Sequence, residues 1–137
     1  MLRAAVDGDF PFIHSSWKNS YRRVMAEIPK GVYFDVMRRR IDRLLDRGMR
    51  IAVKTWDEDP DYIAGWVAFG PAAGVVHYVY VRDLERRRGT ARELVEAALA
   101  EAGSAVVYAT HWTPVVEAIA ARHRGVRYAP SKMEKRA

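Results

Sequence analysis

Val79-Tyr80-Val81-Arg82-Asp83-Leu84-Glu85-Arg86-Arg87-Arg88-Gly89-Thr90-Ala91 passes from β-branched and aromatic residues, through a basic loop containing one glycine, into the start of an apolar helical stripe. The first amides of a helix have no intrahelical acceptor and stand at the positive end of its dipole, so they attract phosphate oxygens. Gly89 lets an anion approach the main chain closely, and arginines on the rim add charge-assisted hydrogen bonds. Two other phosphate-binding patterns are missing, since the chain has neither Gly-x-x-x-x-Gly-Lys nor Gly-x-Gly-x-x-Gly. Taken without its surroundings, the run from Arg86 to Arg88 reads more simply as a solvated, charged helix entry.

The surroundings are ordered. Residues 75–81 show little polar alternation and predict a central strand covered on both faces. Beyond the loop, Ala91, Leu94, Val95, Ala98, Leu99 and Ala102 make one stripe of a helix closed by Gly103, with Thr90 and Glu93 spaced as a capping box. Residues 105–109 predict a fifth strand. Thr113-Pro114 supplies the N-cap and first turn of a fourth helix running to Arg124 or so, and residues 126–128 a last short strand.

Upstream, residues 2–6 lean apolar and precede Asp7-Gly8-Asp9, which reads as a strand, a turn and a helix N-cap. Phe10, Ile13, Trp17, Tyr21, Val24 and Ile28 then recur every three or four residues, an amphipathic helix interrupted at residues 29–31. A second helix starts near Tyr33, buries Val36, Met37, Ile41, Leu44 and Leu45, leaves Arg38, Arg39, Arg40, Arg43 and Arg47 largely outside, and stops at Gly48. Residues 50–55 and 62–69 predict a hairpin about the acidic Asp57-Glu58-Asp59-Pro60-Asp61, and residues 70–74 another turn. The order β-α-α-β-β-β-α-β-α-β predicts an α/β domain whose mixed sheet is flanked by helices, antiparallel early and parallel around the third helix.

With 137 residues, half of them hydrophobic and 15 aromatic, the chain reads as one domain, residues 1–137, large enough to hold a core without disulfides. No cysteine is present, which removes thiol catalysis and thiolate metal sites, and no metal is expected. No segment approaches the length of a membrane span, and Arg3, Asp7 and Asp9 stand where a signal peptide would be apolar, so no membrane association and a cytoplasmic location are expected. A net charge of +6 suggests an anionic partner without choosing among a phosphorylated cofactor, nucleic acid and mere solubility.

The pattern Arg-x-x-Gly-x-Ala at Arg86, Gly89 and Ala91, with Val81 five positions ahead of the arginine, resembles the acetyl-coenzyme A pyrophosphate loop of the GNAT superfamily of N-acetyltransferases. The order of elements is similar to that family over nearly the whole chain. The resemblance implies a GNAT-like fold and an N-acetyltransferase moving acetyl from acetyl-CoA to a primary amine by direct transfer in a ternary complex. The main chain of Val79, Tyr80 and Val81 would pair with the pantetheine arm. The basic loop of Arg86, Arg87, Arg88, Gly89, Thr90 and Ala91 would hold the pyrophosphate, and the thioester would lie beside residues 105–109. Gly125 is followed by only 12 residues, which leaves little room for the hairpin that finishes the sheet in similar proteins, so a shortened C-terminal end is expected.

Acyl transfer to an amine needs a neutral amine, a polarised carbonyl and a proton for the departing thiolate. In many members of the family a tyrosine near the end of the fourth helix supplies that proton; here the run from Ile119 to Val126 puts Ala120 or Ala121 in its place. Tyr80, Tyr108, Thr110 and His111 are the replacement candidates. His111 comes first, because it follows the fifth strand and imidazole titrates near working pH, although a histidine before a helix is also ordinary surface. His77 is a candidate base, direct or through water, or equally a satisfied core histidine. Asp83 and Glu85 read as solvated or paired with neighbouring arginines. The resemblance implies an acceptor site on the first two helices, where Trp17, Tyr21, Tyr33 and Phe34 occur; spacing puts Trp17 and Tyr21 in the core and His14 outside it.

No motif names the acceptor amine, whether a metabolite, peptide or protein lysine. Two other readings remain at this level. One is a GNAT-fold domain that binds CoA or a protein without turnover, with a homodimer completing the last sheet edge. The other is a nucleic-acid module using Arg38, Arg39, Arg40, Lys132, Lys135 and Arg136, which is disfavoured because it lacks any zinc, RNP-like or recognition-helix motif.

Overall fold

The apolar runs between residues 50 and 81 are separated by tight turns, so they fold back on one another as an antiparallel meander. In the computed structural model, which describes every residue except 23–25, 104–105, 112, 122–124, 131 and 133–137, six strands form one sheet. They are β1 (Leu2–Ala4), β2 (Arg50–Thr55), β3 (Ile63–Phe69), β4 (Val75–Val81), β5 (Val107–Ala109) and β6 (Val126–Tyr128), and they lie in chain order. The first three pairings are antiparallel; β4–β5 and β5–β6 are parallel. Four helices cover the sheet: α1 (Phe10–Tyr21), α2 (Lys30–Asp46), α3 (Thr90–Ala102) and α4 (Pro114–Ala120). None of the described helices is long and apolar enough to cross a membrane.

Strand alternation sends neighbouring residues to opposite faces, and two apolar clusters result. On one face Ile13 and Trp17 of α1 and Met37, Ile41 and Leu44 of α2 pack with Ile51, Val53, Trp66 and Tyr78. On the other, Leu94, Val95, Ala98 and Leu99 of α3 pack with Val67, Phe69, Val76, Val79 and Val81. β3 lies between both layers and is buried at every position. At Gly65 the layers leave no room: a Cβ there would stand 2.6 Å from the Tyr80 carbonyl oxygen and 3.2 Å from Leu94 Cδ1. Gly65→Ala should therefore destabilise the fold by about 1–3 kcal/mol, read as a lower urea midpoint with an unchanged slope.

Several boundaries differ from the sequence expectation, each for a local reason. β1 ends at Ala4, although Ala5 N–H still donates to Ile51 O at 2.9 Å. Asp9 does not cap α1 through its side chain; its carboxylate accepts from Val6 N–H at 2.9 Å and from Arg3 at 2.6 Å. α1 ends at Tyr21, and Ile28 packs against the same cluster from a bend, because the residue before a proline is disfavoured in helical backbone. α2 begins at Lys30 rather than Tyr33: Pro29 is its N-cap, Tyr33 N–H donates to Pro29 O at 2.9 Å, and Gly31 sits in the first turn. Val36 is 46% exposed rather than buried, its place on the inner stripe taken by Tyr33.

The capping box expected at Thr90 and Glu93 is absent. Gly89 is the N-cap in a left-handed conformation, Thr90 is the first helical residue, and the Glu93 carboxylate instead takes Lys54 Nζ at 2.7 and 2.9 Å. Thr113 does cap α4, its hydroxyl accepting from Val116 N–H at 3.2 Å. Helix α4 ends at Ala120. β3 starts one residue after Tyr62, and β5 starts at Val107. The expectations at Val24, Ala105, Arg124, Lys135 and Arg136 fall outside the described residues.

Candidate active site

The parallel strands β4 and β5 are paired only at Val75 with Tyr108 and Val76 with Ala109, and the last bond between them is Thr110 N–H to Val76 O at 3.1 Å. Beyond it the described chains part, forming a fork. Arg82 N–H donates to Ala64 O at 2.9 Å, with Tyr80 opposite Trp66 and Val81 opposite Gly65. In an antiparallel ladder alternate residues face the partner strand, so Val79 and Val81 turn their main-chain groups away from β3 and toward the open side of the fork.

β4 runs into a single 3-10 turn at Asp83–Glu85 and then the basic loop. Arg87 has φ 65° and Gly89 has φ 78°, both left-handed. Such turns bring successive amides onto one concave surface. Among the described residues the amides from Arg87 to Arg92 find no main-chain acceptor, and the first bond of α3 is Glu93 N–H to Gly89 O at 3.0 Å. Nothing beyond its chain neighbours lies within 4 Å of where a Gly89 Cβ would stand, so the loop is open beside Gly89.

The loop is braced from below. Arg86 Nε donates to Val81 O at 3.2 Å and its guanidinium pairs with Asp83 at 3.0 Å. Glu85 is buried, accepting from Trp56 Nε1 at 3.1 Å, Tyr62 Oη at 3.4 Å and Arg88 at 3.4 Å. Glu85 therefore does more than pair with an arginine: it ties the β2–β3 hairpin, whose Trp56 and Tyr62 rings lie 4.0 Å apart, to the basic loop.

At the base of the fork His77, Thr110 and His111 are buried together. His77 Nε2 is 3.0 Å from Gly70 O, His77 Nδ1 is 3.0 Å from Thr110 Oγ1, and Thr110 Oγ1 is 2.9 Å from His111 Nδ1. The His111 ring meets Tyr21, Trp17 and Tyr78 edge-on at centroid distances of 5.2, 6.2 and 6.3 Å, and its Nε2 has no partner among the described residues. Burial first, then the charges of His77 and Arg40, lower its pKa to about 4. Burial also holds His77 below the usual imidazole range. Tyr78 is pushed up to about 12 by burial; its hydroxyl donates to Ser20 Oγ at 2.8 Å, because Ser20 spends its own proton on Ser16 O.

These shifts set a pH dependence. Folded His111 takes a proton only near pH 4, whereas the unfolded side chain does so near 6.5, so unfolding takes up a proton between those values. Stability is complete above the higher value and falls as pH drops from 6.5 toward 4. In His111→Asn the urea midpoint should fall less steeply over that window than in the wild type.

The other candidates are distributed around the fork. Tyr80 is half-buried, its ring 6.0 Å from both Trp66 and Phe12, on the face covered by α1. Tyr108 is half-buried beneath Lys132, whose Nζ is 4.5 Å from the ring centroid. Ala120 and Ala121 stand at the end of α4 with no phenol in their place. His14 is half-buried rather than exposed, 3.6 Å from Asp42 in a groove of about 590 Å³ between α1 and α2 that Phe10 and Phe34 also line. Trp17 is fully buried, whereas Tyr21 is only half-buried at the end of α1.

The model of the acetyltransferase (GNAT) family matches residues 12–124. The chain belongs to that family. Solved structures share the GNAT fold at low identity. A proposed acetyl transferase from Pyrococcus furiosus superposes with a TM-score of 0.65 at 15% identity, covering 94% of this chain and 95% of that one. A GCN5-related N-acetyltransferase from Rhodopseudomonas palustris gives 0.62 at 16%, covering 89% and 79%. A GNAT family acetyltransferase from Brucella melitensis, solved in complex with acetyl-CoA, gives 0.57 at 17%, covering 87% and 80%. No curated protein matches the sequence. In this GNAT chain the sequence pointed to the loop and to His77, Thr110 and His111, but not to Tyr78, and it read Tyr21 as core and Arg40 as an outer residue of the second helix without relating either to His111. The one available signal was the alternation that puts Tyr78 and Tyr80 on the same face of β4 as Trp66.

Proposed function

We propose that the chain is an N-acetyltransferase that moves the acetyl group of acetyl-CoA onto a primary amine while both are bound, giving an acetamide and free CoA thiol. One observation carries the reading: the outward main chain of Val79 and Val81 leads from the fork into six amides that find no main-chain acceptor among the described residues, in a loop that is open beside Gly89. These groups fit a pantetheine amide chain and a pyrophosphate. Val79 and Val81 would pair with the first, the main chain of Tyr80 between them facing Trp66 of β3 instead, and the amides of Arg87, Arg88, Gly89, Thr90 and Ala91 would hold the second, with Arg86 fixing the loop to Val81. Acetyl-CoA supplies the activated thioester.

At the base of the fork, His111 Nε2 is assigned the proton lost by the amine, which it then gives to the departing CoA thiolate, because among the described residues it is the nitrogen of the His77–Thr110–His111 group without a partner. A weakly basic, buried imidazole takes a proton only from a strongly acidified N–H, which suits nitrogen that has already attacked rather than a free ammonium ion. The half-buried ring of Tyr21 must turn aside for an amine to reach it. His77 acts behind His111, through Thr110, and Tyr80 lines the fork.

A second reading, a GNAT-fold domain that binds CoA or a protein without turnover, is favoured by Ala120 and Ala121 at the end of α4 and by the burial of His111 Nε2. Amine-dependent release of thiol from acetyl-CoA separates the two. Release with any member of a panel of small amines, peptides and lysine-bearing proteins supports the enzyme, whereas acetyl-CoA binding with no release across the panel supports the second reading.

A further inference from the structure

The buried contacts around Thr110 admit one proton pattern when both imidazoles are neutral. Gly70 O can only accept, so His77 Nε2 carries the proton of that ring and donates it across 3.0 Å. His77 Nδ1 then holds a lone pair, and the Thr110 hydroxyl donates to it across 3.0 Å. A hydroxyl has one proton, so Thr110 Oγ1 meets His111 Nδ1, 2.9 Å away, as an acceptor, and Nδ1 of His111 must be the protonated nitrogen. Both rings are 2–3% exposed, and among the described residues neither contacts a carboxylate that would favour the charged form. The charges that act on His111 are those of His77 and Arg40, and both oppose its protonation; the main chain of His77 favours it, but less than burial and these charges disfavour it.

We propose that Thr110 is a positioning residue: held between two imidazoles, its hydroxyl fixes His111 as the Nδ1–H tautomer and leaves the lone pair on Nε2, beneath the rings of Trp17, Tyr21 and Tyr78. A free histidine side chain favours the opposite tautomer, so the fork imposes on His111 a form that it would not adopt alone. The device makes His111 a proton acceptor at Nε2, which has no partner among the described residues. It also joins His111 to the Gly70 carbonyl through a chain of three hydrogen bonds, the last of which breaks if the His111 ring turns over. Its catalytic consequence rests on the acetyltransferase reading; the tautomer itself does not.

The test is a long-range ¹H–¹⁵N correlation spectrum of the ¹⁵N-labelled protein at neutral pH, with His14→Gln and His123→Gln removing two of the four histidines to simplify assignment. The expected result is His77 protonated at Nε2 and His111 at Nδ1, unchanged in Thr110→Ser. In Thr110→Val, His111 should shift to the Nε2–H form, and Thr110→Ala serves as a second hydroxyl-free variant should the valine disturb folding. A wild-type His111 protonated at Nε2 overturns the proposal, as does an unchanged Nδ1–H form in a folded variant lacking the hydroxyl. Where the chain turns over, Thr110→Val should lower kcat by at least about tenfold with the KM for acetyl-CoA unchanged, and Thr110→Ser should restore it. A normal tautomer pattern with no turnover would contradict the enzyme reading and leave the positioning of His111 standing.

Discussion

Gly89→Glu should reduce acetyl-CoA affinity by about a hundredfold or more, roughly 2.7 kcal/mol, while leaving the fold in place. Two terms add. A side chain at φ 78° is strained, by about 1–2 kcal/mol for a non-glycine residue, and the loop must shift to relieve it. The carboxylate then enters the open space beside Gly89, next to the unclaimed amides, where it is attracted by the same dipoles as a pyrophosphate and repels one. Because no atom lies within 4 Å of the new Cβ, core packing is untouched and the thermal midpoint should move by only a few degrees. Gly89→Ala isolates the backbone term and should fall between the wild type and Gly89→Glu in isothermal titration. Equal affinities for all three would place the anion site elsewhere.

Trp17→Ala should cost the most stability of any single truncation at the site, about 3–5 kcal/mol. The indole is fully buried, stacks on Tyr78 at 5.2 Å with an interplanar angle of 12°, leans on Trp66 at 5.3 Å, and meets the His111 ring edge-on at 6.2 Å. Its Nε1 has no hydrogen-bond partner among the described residues, so the loss is one of packing. Trp17→Phe should accordingly recover most of it. The reading is urea unfolding by fluorescence and circular dichroism; a loss below about 1 kcal/mol would mean that α1 is not anchored on the sheet through this residue. The same truncation opens the pocket over His111, which should raise the pKa of that ring toward its ordinary value as water enters.

The strongest sequence signals were those in which local chemistry and tertiary placement agree. Residues 75–81 had to be a covered strand because nearly every position is apolar, and Gly89 sits where only a left-handed residue can lead into α3. The fold followed from the order of such segments. What escaped reading depended on partners distant in sequence. Glu93 matched a local capping rule, but Lys54, 39 residues away, took its carboxylate. Val36 matched the stripe of α2, but the helix rotates to bury Tyr33, whose hydroxyl donates to Lys18 O at 2.8 Å. Glu85 read as one half of a surface ion pair, although Trp56 and Tyr62 bury it from a hairpin more than 20 residues away. His111 was legible as a candidate by its position after β5. Its burial was not, because that is produced by α1 and β4 closing over it, and the proton pattern emerges only from the distances to Thr110 and His77.

Titration calorimetry of the wild-type protein with acetyl-CoA, at about 50 mM and about 200 mM salt, tests the central claim most directly. Pantetheine pairing along β4 with a pyrophosphate on a few amides predicts saturable one-to-one binding that weakens only a few-fold between the two conditions. Absence of binding would contradict it, and so would an affinity collapsing by about a thousandfold, the behaviour of a basic surface that neutralises a row of phosphates.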